Sequence, residues 1–168
     1  QHLYMSHQYI KQGQTIIIGD IHGCIDELHD LLDKVQYNKD QDYIICVGDL
    51  VGKGPHSQQV IQYLSSLPYA YSVIGNHDYY AIKLIENGCQ NNGWTTESYL
   101  NELKQFNKKE IDYLSHLPSI IHLHLPLFGT FTSKDEQKIT ILHAGMVPNI
   151  EWSQQSFQNL ISMRNLEH

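Results

Sequence analysis

The feature that most constrains this chain is a recurring one: short β-branched runs that stop at a glycine followed by a carboxylate or an amide. Thr15-Ile16-Ile17-Ile18 runs into Gly19-Asp20-Ile21-His22-Gly23, Tyr43-Ile44-Ile45-Cys46-Val47 into Gly48-Asp49, and the stretch from Tyr69 to Ile74 into Gly75-Asn76-His77-Asp78. Short apolar β-branched runs favour strands. Behind each lies a set at helical spacing: Leu28, Leu31, Leu32 and Val35 within Cys24 to about Val35; Val60, Ile61, Leu64 and Leu67, closed by Pro68; then Ala81, Ile82, Leu84 and Ile85. Alternating strands and helices predict an α/β architecture whose polar strand ends meet in one crevice.

The rest of the chain is read around that frame as a single domain spanning residues 1–168. Residues 1–13 are polar without a clear period and read as an N-terminal tail, with Met5 a plausible initiator. A Gly/Asn-rich break from Asn87 to Gly93 precedes a helical insert at about 94–116, which should cover one side of the site. Within it, Asn107 followed three residues later by Glu110 predicts a capped helix start. Ile120 to Leu125 and Lys138 to Leu142 predict two strands around a polar loop, Gly129 to Gln137, and the second ends in His143-Ala144-Gly145-Met146-Val147-Pro148. Phe157, Leu160 and Ile161 suggest one more short helix.

Composition narrows the function classes. No apolar run reaches the roughly 18 to 20 residues of a membrane span, and the start lacks a secretory layout, so a soluble cytoplasmic protein without a membrane partner is expected. A formal charge of −7 argues against broad DNA binding while leaving room for a local phosphate pocket. Cys24, Cys46 and Cys89 are an odd number without close pairing, which points to reduced thiols, with Cys46 a buried hydrophobe. Of eleven histidines, His29, His56 and His116 are expected at the surface, and His122 and His124 on a solvated strand face.

The strand ends offer, in order, Asp20 and His22, Asp49, Asn76 and His77, and His143. Two divalent ions about 3.5 to 4 Å apart need a carboxylate that bridges them, with imidazole and amide ligands completing each shell. Asp49 is the candidate bridge, Asp20 and His22 the ligands of a first metal, Asn76 and His143 those of a second. Such a pair polarises a phosphoryl oxygen and lowers the pKa of a shared water from about 15.7 towards 7. His77 is placed to act as general acid on the leaving oxygen. Lys53, between Gly52 and Gly54, and Arg164 are the candidate phosphate-binding cations.

The ordered set GDIHGC at 19–24, GDLVGKGP at 48–55, GNHD at 75–78 and HAGMVP at 143–148 resembles the calcineurin-like metallophosphoesterase superfamily, of the phosphoprotein-phosphatase type. The resemblance implies two mixed β-sheets flanked by helices, an αββα sandwich, and carries the family's metal ligands onto Asp20, His22, Asp49, Asn76 and His143, with His77 as the acid. It also implies two divalent ions, manganese first, with iron, zinc, magnesium or cobalt as alternatives. Gly52 and Lys53 stand where the protein-phosphatase motif GDxVDRG has Asp and Arg, and Ile74 where many members have Arg. With HAGMVP and the later Met163-Arg164-Asn165, this looks like the diadenosine-tetraphosphatase-like branch.

The expected activity is therefore hydrolysis of dinucleoside polyphosphates or related nucleotide, RNA-cap or polyphosphate substrates. The alternatives are a protein serine/threonine phosphatase and a non-catalytic phosphate-binding module. The family's further His, in a Gly-His motif beyond the position of Arg164, has no counterpart before His168. That leads to the expectation of a C-terminally truncated chain with an incomplete second metal site.

Overall fold

The structure, a computed structural model, describes residues 4–8, 13–91, 93, 95–126 and 136–164. In chain order the elements are β1 (Tyr4–Gln8), β2 (Thr15–Ile18), α1 (Ile25–Lys34), β3 (Tyr43–Cys46), α2 (Ser57–Ser66), β4 (Ala70–Ser72) and α3 (Asn76–Glu86). They continue with α4 (Glu97–Leu103), α5 (Lys108–Ser115), β5 (Ile120–Pro126), β6 (Glu136–Ile141), a single 3-10 turn (Trp152–Gln154) and α6 (Phe157–Ser162).

The strand Tyr43–Cys46 shows how the layers arise. Ile44 and Cys46 point to one face and pack with Leu28 and Leu32 of α1 and Val60, Ile61 and Leu64 of α2; Ile45 points to the other. On that second face Ile45 and Val73 meet Ile121, Leu123 and Ile141 of the other sheet. Strand periodicity of two thus lets one strand serve a helix-sheet layer and a sheet-sheet layer together. Burial of each Val, Leu or Ile side chain among them contributes about 1.5–3 kcal/mol.

β2, β3 and β4 form a sheet in that order, wholly parallel, with Ile18 beside Cys46 and Cys46 beside Ser72. The second sheet has the order β1-β5-β6 and is mixed, β1 running parallel to β5 and β6 antiparallel to it. The mixed character expected of both sheets thus belongs, among the described residues, to one of them.

Several expectations change at this level. Tyr4–Gln8, read as part of a tail, is a strand, because its partner β5 lies more than a hundred residues away and no local period reports such pairing. Leu31 is 38% exposed, so the buried face of α1 is Ile25, Leu28 and Leu32. His122 is buried: its Nδ1 lies 2.9 Å from Thr140 Oγ1 and its ring sits edge-on to Trp152 at 5.6 Å, so this strand face is covered. Asn107 caps α5 as its spacing indicates, with Glu110 accepting from the Asn107 N–H at 2.6 Å. The His124 side chain, Trp94, residues 129–135 of the polar loop and residues 165–168 lie outside the described residues.

Candidate dimetal site

Parallel alignment of β2, β3 and β4 brings their carboxyl ends to one edge, and β6 delivers His143 to the same place. Two turns built from the motifs are then locked together by backbone. The N–H groups of Ile21 and His22 both donate to the Asp49 carbonyl, at 3.1 and 2.9 Å; Gly23 N–H donates to Leu50 O and Gly54 N–H to His22 O. His22 (φ 49°) and Asp49 (φ 51°) are held in the left-handed region, costly for side chains larger than glycine and sustained only where surroundings over-determine it. Gly48 is required: at φ +96° its missing Cβ would lie 2.7 Å from Gly75 N and 2.9 Å from His143 Nδ1.

Asp49, only 3% exposed, occupies the middle. Its Oδ2 is 3.7 Å from His22 Nε2, its Oδ1 is 3.5 Å from His143 Nε2 and accepts from the His77 backbone N–H at 2.8 Å. Asp20 Oδ2 lies 3.6 Å from His22 Nε2, and Asn76 Oδ1 is 3.0 Å from His143 Nε2. Ligand atoms of Asp20, Asp49 and His143 form one group within 4.8 Å, and those of His22, Asp49 and His77 another, with Asp49 in both. Pairing by spacing had joined Asp20 to His22; the geometry also joins Asp20 to His143.

The donor chemistry fits divalent ions. Nδ1 of His22 faces the Val51 carbonyl at 3.1 Å and Nδ1 of His143 faces the Val47 carbonyl at 2.8 Å. A carbonyl only accepts, so each Nδ1 carries the proton and each Nε2 turns a lone pair inward, the usual anchoring of a metal-binding imidazole. At His143 that lone pair meets two further acceptors, Asn76 Oδ1 and Asp49 Oδ1. Three electron-rich atoms at 3.0–3.5 Å are spaced as ligands about 2.1 Å from a shared cation would be. At His22 a cation already sits on the lone pair, the Lys53 ammonium at 2.8 Å.

His77 stands beside this cluster, its ring edge-on to His22 at 4.7 Å. Burial lowers its pKa; Asp49 pulls the other way, while His22 and Lys53 lower it further, so the net shift is downward. Gly52 (φ +90°) lies against it, and a Cβ there would come within 2.7 Å of His77 Nδ1. Arg164 is exposed just beyond α6, and its neighbour Met163 packs on Gly145, two residues past His143.

One structural residue escaped sequence reasoning. Asp78 is fully buried and accepts N–H bonds from Leu50 (2.8 Å) and Val51 (3.2 Å) on Oδ1 and from Gly75 (2.9 Å) on Oδ2. It ties the turn after β3 to the start of α3. Burial raises its pKa to about 6 against the lowering by those donors. The available signal was an acid at the third position of a helix opened by glycine.

A cleft of about 970 Å³ opens from the cluster, running from Lys53 and His77 along α3 to Tyr80 and Lys83, with the approach to α4 and α4 itself as the facing wall. Cys46 is buried, which pushes its thiol up to about 12, in keeping with a packing role. Among the described residues no helix is long and apolar enough to cross a membrane.

Residues 14–166 match the family model described as calcineurin-like phosphoesterase. The chain is 33% identical over 137 residues to the symmetrical bis(5'-nucleosyl)-tetraphosphatase of Erwinia tasmaniensis, covering 80% of this chain and 45% of that protein. It is 38% identical over 135 residues to the enzyme of the same name from Buchnera aphidicola subsp. Baizongia pistaciae, covering 80% and 44%. The chain thus spans a little under half the length of these curated relatives. A crystal structure of a protein provisionally named a diadenosine tetraphosphatase superposes with a TM-score of 0.77 at 32% identity, over 98% of this chain and 64% of that one. A metallophosphoesterase from Sphaerobacter thermophilus aligns with a TM-score of 0.50 at 29% identity, over 63% and 41%.

Proposed function

The chain belongs to the calcineurin-like phosphoesterase family, and from that premise we propose that it hydrolyses phosphoanhydride bonds of dinucleoside polyphosphates with the help of two divalent ions. One observation carries the reading: both oxygens of buried Asp49 are turned to inward-facing imidazole lone pairs, Oδ2 towards His22 and Oδ1 towards His143. Asp20, His22, Asp49, Asn76 and His143 would hold the ions, manganese being the first choice. Bound there, the ions supply Lewis acidity to a phosphoryl oxygen and make hydroxide accessible near neutral pH.

The chain's own groups do the rest. The carbonyls of Val47 and Val51 fix the two imidazoles, and Asp78 fixes the backbone that carries Asp49. Lys53, on a turn with φ 56° and with its ammonium 2.8 Å from His22 Nε2, would turn that ammonium to phosphate oxygens at the cleft entrance once an ion took its place on His22. His77, its ring edge-on to His22 at the mouth of the cleft, would give a proton to the departing oxygen. Dinucleoside polyphosphates are favoured over phosphoproteins because Gly52 and Lys53 replace the Asp-Arg pair of protein phosphatases and because the curated relatives carry the tetraphosphatase name.

The test is turnover with added Mn²⁺ on diadenosine tetraphosphate and on a phosphothreonine peptide, products being resolved chromatographically. Faster cleavage of the dinucleotide is expected. Faster cleavage of the peptide overturns the substrate class, and binding without cleavage of either overturns the enzymatic reading.

A further inference from the structure

The cleft beside His77 is far larger than a phosphate requires, and its walls have a definite chemistry. Its volume of about 970 Å³ lies at the upper end of what small-molecule sites enclose, about 300–1,000 Å³. On α3 the residues His77, Tyr80 and Leu84 fall at i, i+3 and i+7, one helical stripe, with Lys83 beside it. At 1.5 Å per residue the stripe carries the cleft about 10 Å away from the acid. Tyr80 is 53% exposed and is the aromatic among the exposed large hydrophobic side chains of the described residues. Its neighbour Tyr79 backs it at 5.9 Å. Lys83 is paired with Glu86 at 2.7 Å, but an exposed pair of this kind is weak and leaves the ammonium able to meet a phosphate.

We propose that this cleft is the subsite for the leaving nucleotide, with Tyr80 as the platform on which its base stacks and Lys83 as the cation that meets its phosphates. The inference rests on the hydrolytic reading above and adds which way the substrate lies. The general acid must face the oxygen that departs, and the cleft begins at His77, so the departing half extends along α3. In the step, a water oxygen forms a bond to the phosphorus and the bridging P–O bond breaks. The electron pair goes to the bridging oxygen, which takes the proton of His77. The water's surplus proton passes to solvent, and one water is added overall without redox change. A phosphoprotein side chain would leave the Tyr80 end unfilled.

The test uses the Mn²⁺-loaded chain with Tyr80→Ala, Tyr80→Phe and Lys83→Ala, and Lys34→Ala in the last turn of α1 as a control away from the cleft. Calorimetric binding of a methylene-bridged diadenosine tetraphosphate analogue is measured beside hydrolysis of diadenosine tetraphosphate and of inorganic tripolyphosphate, which has no base. Tyr80→Ala should weaken analogue binding and raise the dinucleotide KM about ten-fold, and raise the tripolyphosphate KM by less than about two-fold. Tyr80→Phe should restore the wild-type value, whereas Lys83→Ala should weaken both substrates. Equal losses on the two substrates in Tyr80→Ala, or none, overturn the subsite. Turnover indifferent to Tyr80 leaves the hydrolytic reading standing without it. Tyr80-dependent binding with no turnover upholds nucleotide binding at Tyr80 and overturns both the hydrolysis and the leaving-group assignment.

Discussion

The strand-end cluster and the α4 wall face one another across the same cleft and are held in opposite ways. His22, His143 and Asp49 of the cluster, and Asp78 behind it, are fixed by backbone: carbonyls of Val47 and Val51 on the imidazoles, and N–H groups of His77, Leu50, Val51 and Gly75 on Asp49 and Asp78. The wall is a seven-residue helix anchored by the buried Leu100 and Leu103 and by Glu102, whose carboxylate accepts from the Ser57 and Gln58 N–H groups opening α2. Chemistry that tolerates little displacement sits on turns cross-linked by backbone hydrogen bonds, while the wall opposite Tyr80 is held by side chains.

The comparison breaks first at Asp49. Asp49→Asn keeps an oxygen for the His77 N–H but removes the charge, so metal affinity should fall by more than about 100-fold, beyond what loss of a supporting contact costs. His77→Asn should lower kcat by about 10²–10⁴-fold with metal content near wild type. Metal analysis of the two purified variants beside their turnover checks this. Equal metal loss in both would mean that His77 is a ligand, as its grouping with His22 and Asp49 permits.

Stability should separate the two regions next. Asp78→Ala leaves three buried N–H groups without their partner. At about 1–3 kcal/mol each, unfolding free energy in urea should drop by about 3 kcal/mol or more. Glu102→Ala removes a partly buried carboxylate from a helix start and should cost only about 1 kcal/mol. Its signature is local: amide exchange should rise across α4 and leave β2, β3 and β4 unchanged. A global rise would show the wall to be integral to the core.

What sequence made legible follows the same division. Asp20, His22, Asp49, Asn76, His77 and His143 stand in turns that directly continue strands, so a parallel sheet has to bring them together, and the motif order suffices to foresee it. Glu102 owes its place to a helix packing across the cleft, a relation without a local period, whereas Tyr80 and Lys83 follow His77 along α3 and carry no local sign of the cleft they line. β1 was hidden for the same reason: its hydrogen bonds go to β5 and its own pattern is polar. His122 was misjudged because alternation tells which residues share a face and not what later covers it; here Trp152 does. Asp78 was hidden within a motif, read as the tail of GNHD when it is the link between two motifs.

The smallest expected effect concerns α5, which packs on α2 and α3. Glu110 is 3% exposed as a residue, and burial alone would raise its carboxyl. Hydrogen bonds from Gln62, from the Asn107 N–H and side chain and from Gln58 outweigh burial, and its pKa ends below the usual carboxylate range. A carboxyl whose folded pKa lies below its unfolded one stabilises the fold above the unfolded value, about 4.3. That contribution disappears as pH falls through the folded value. The wild-type chain should therefore lose stability on acidification, and Glu110→Gln, which cannot ionise, should flatten that part of the limb. Urea midpoints from about pH 3 to about pH 7 read the difference. Parallel limbs in the two proteins would mean that the acid sensitivity arises elsewhere in the fold than at Glu110.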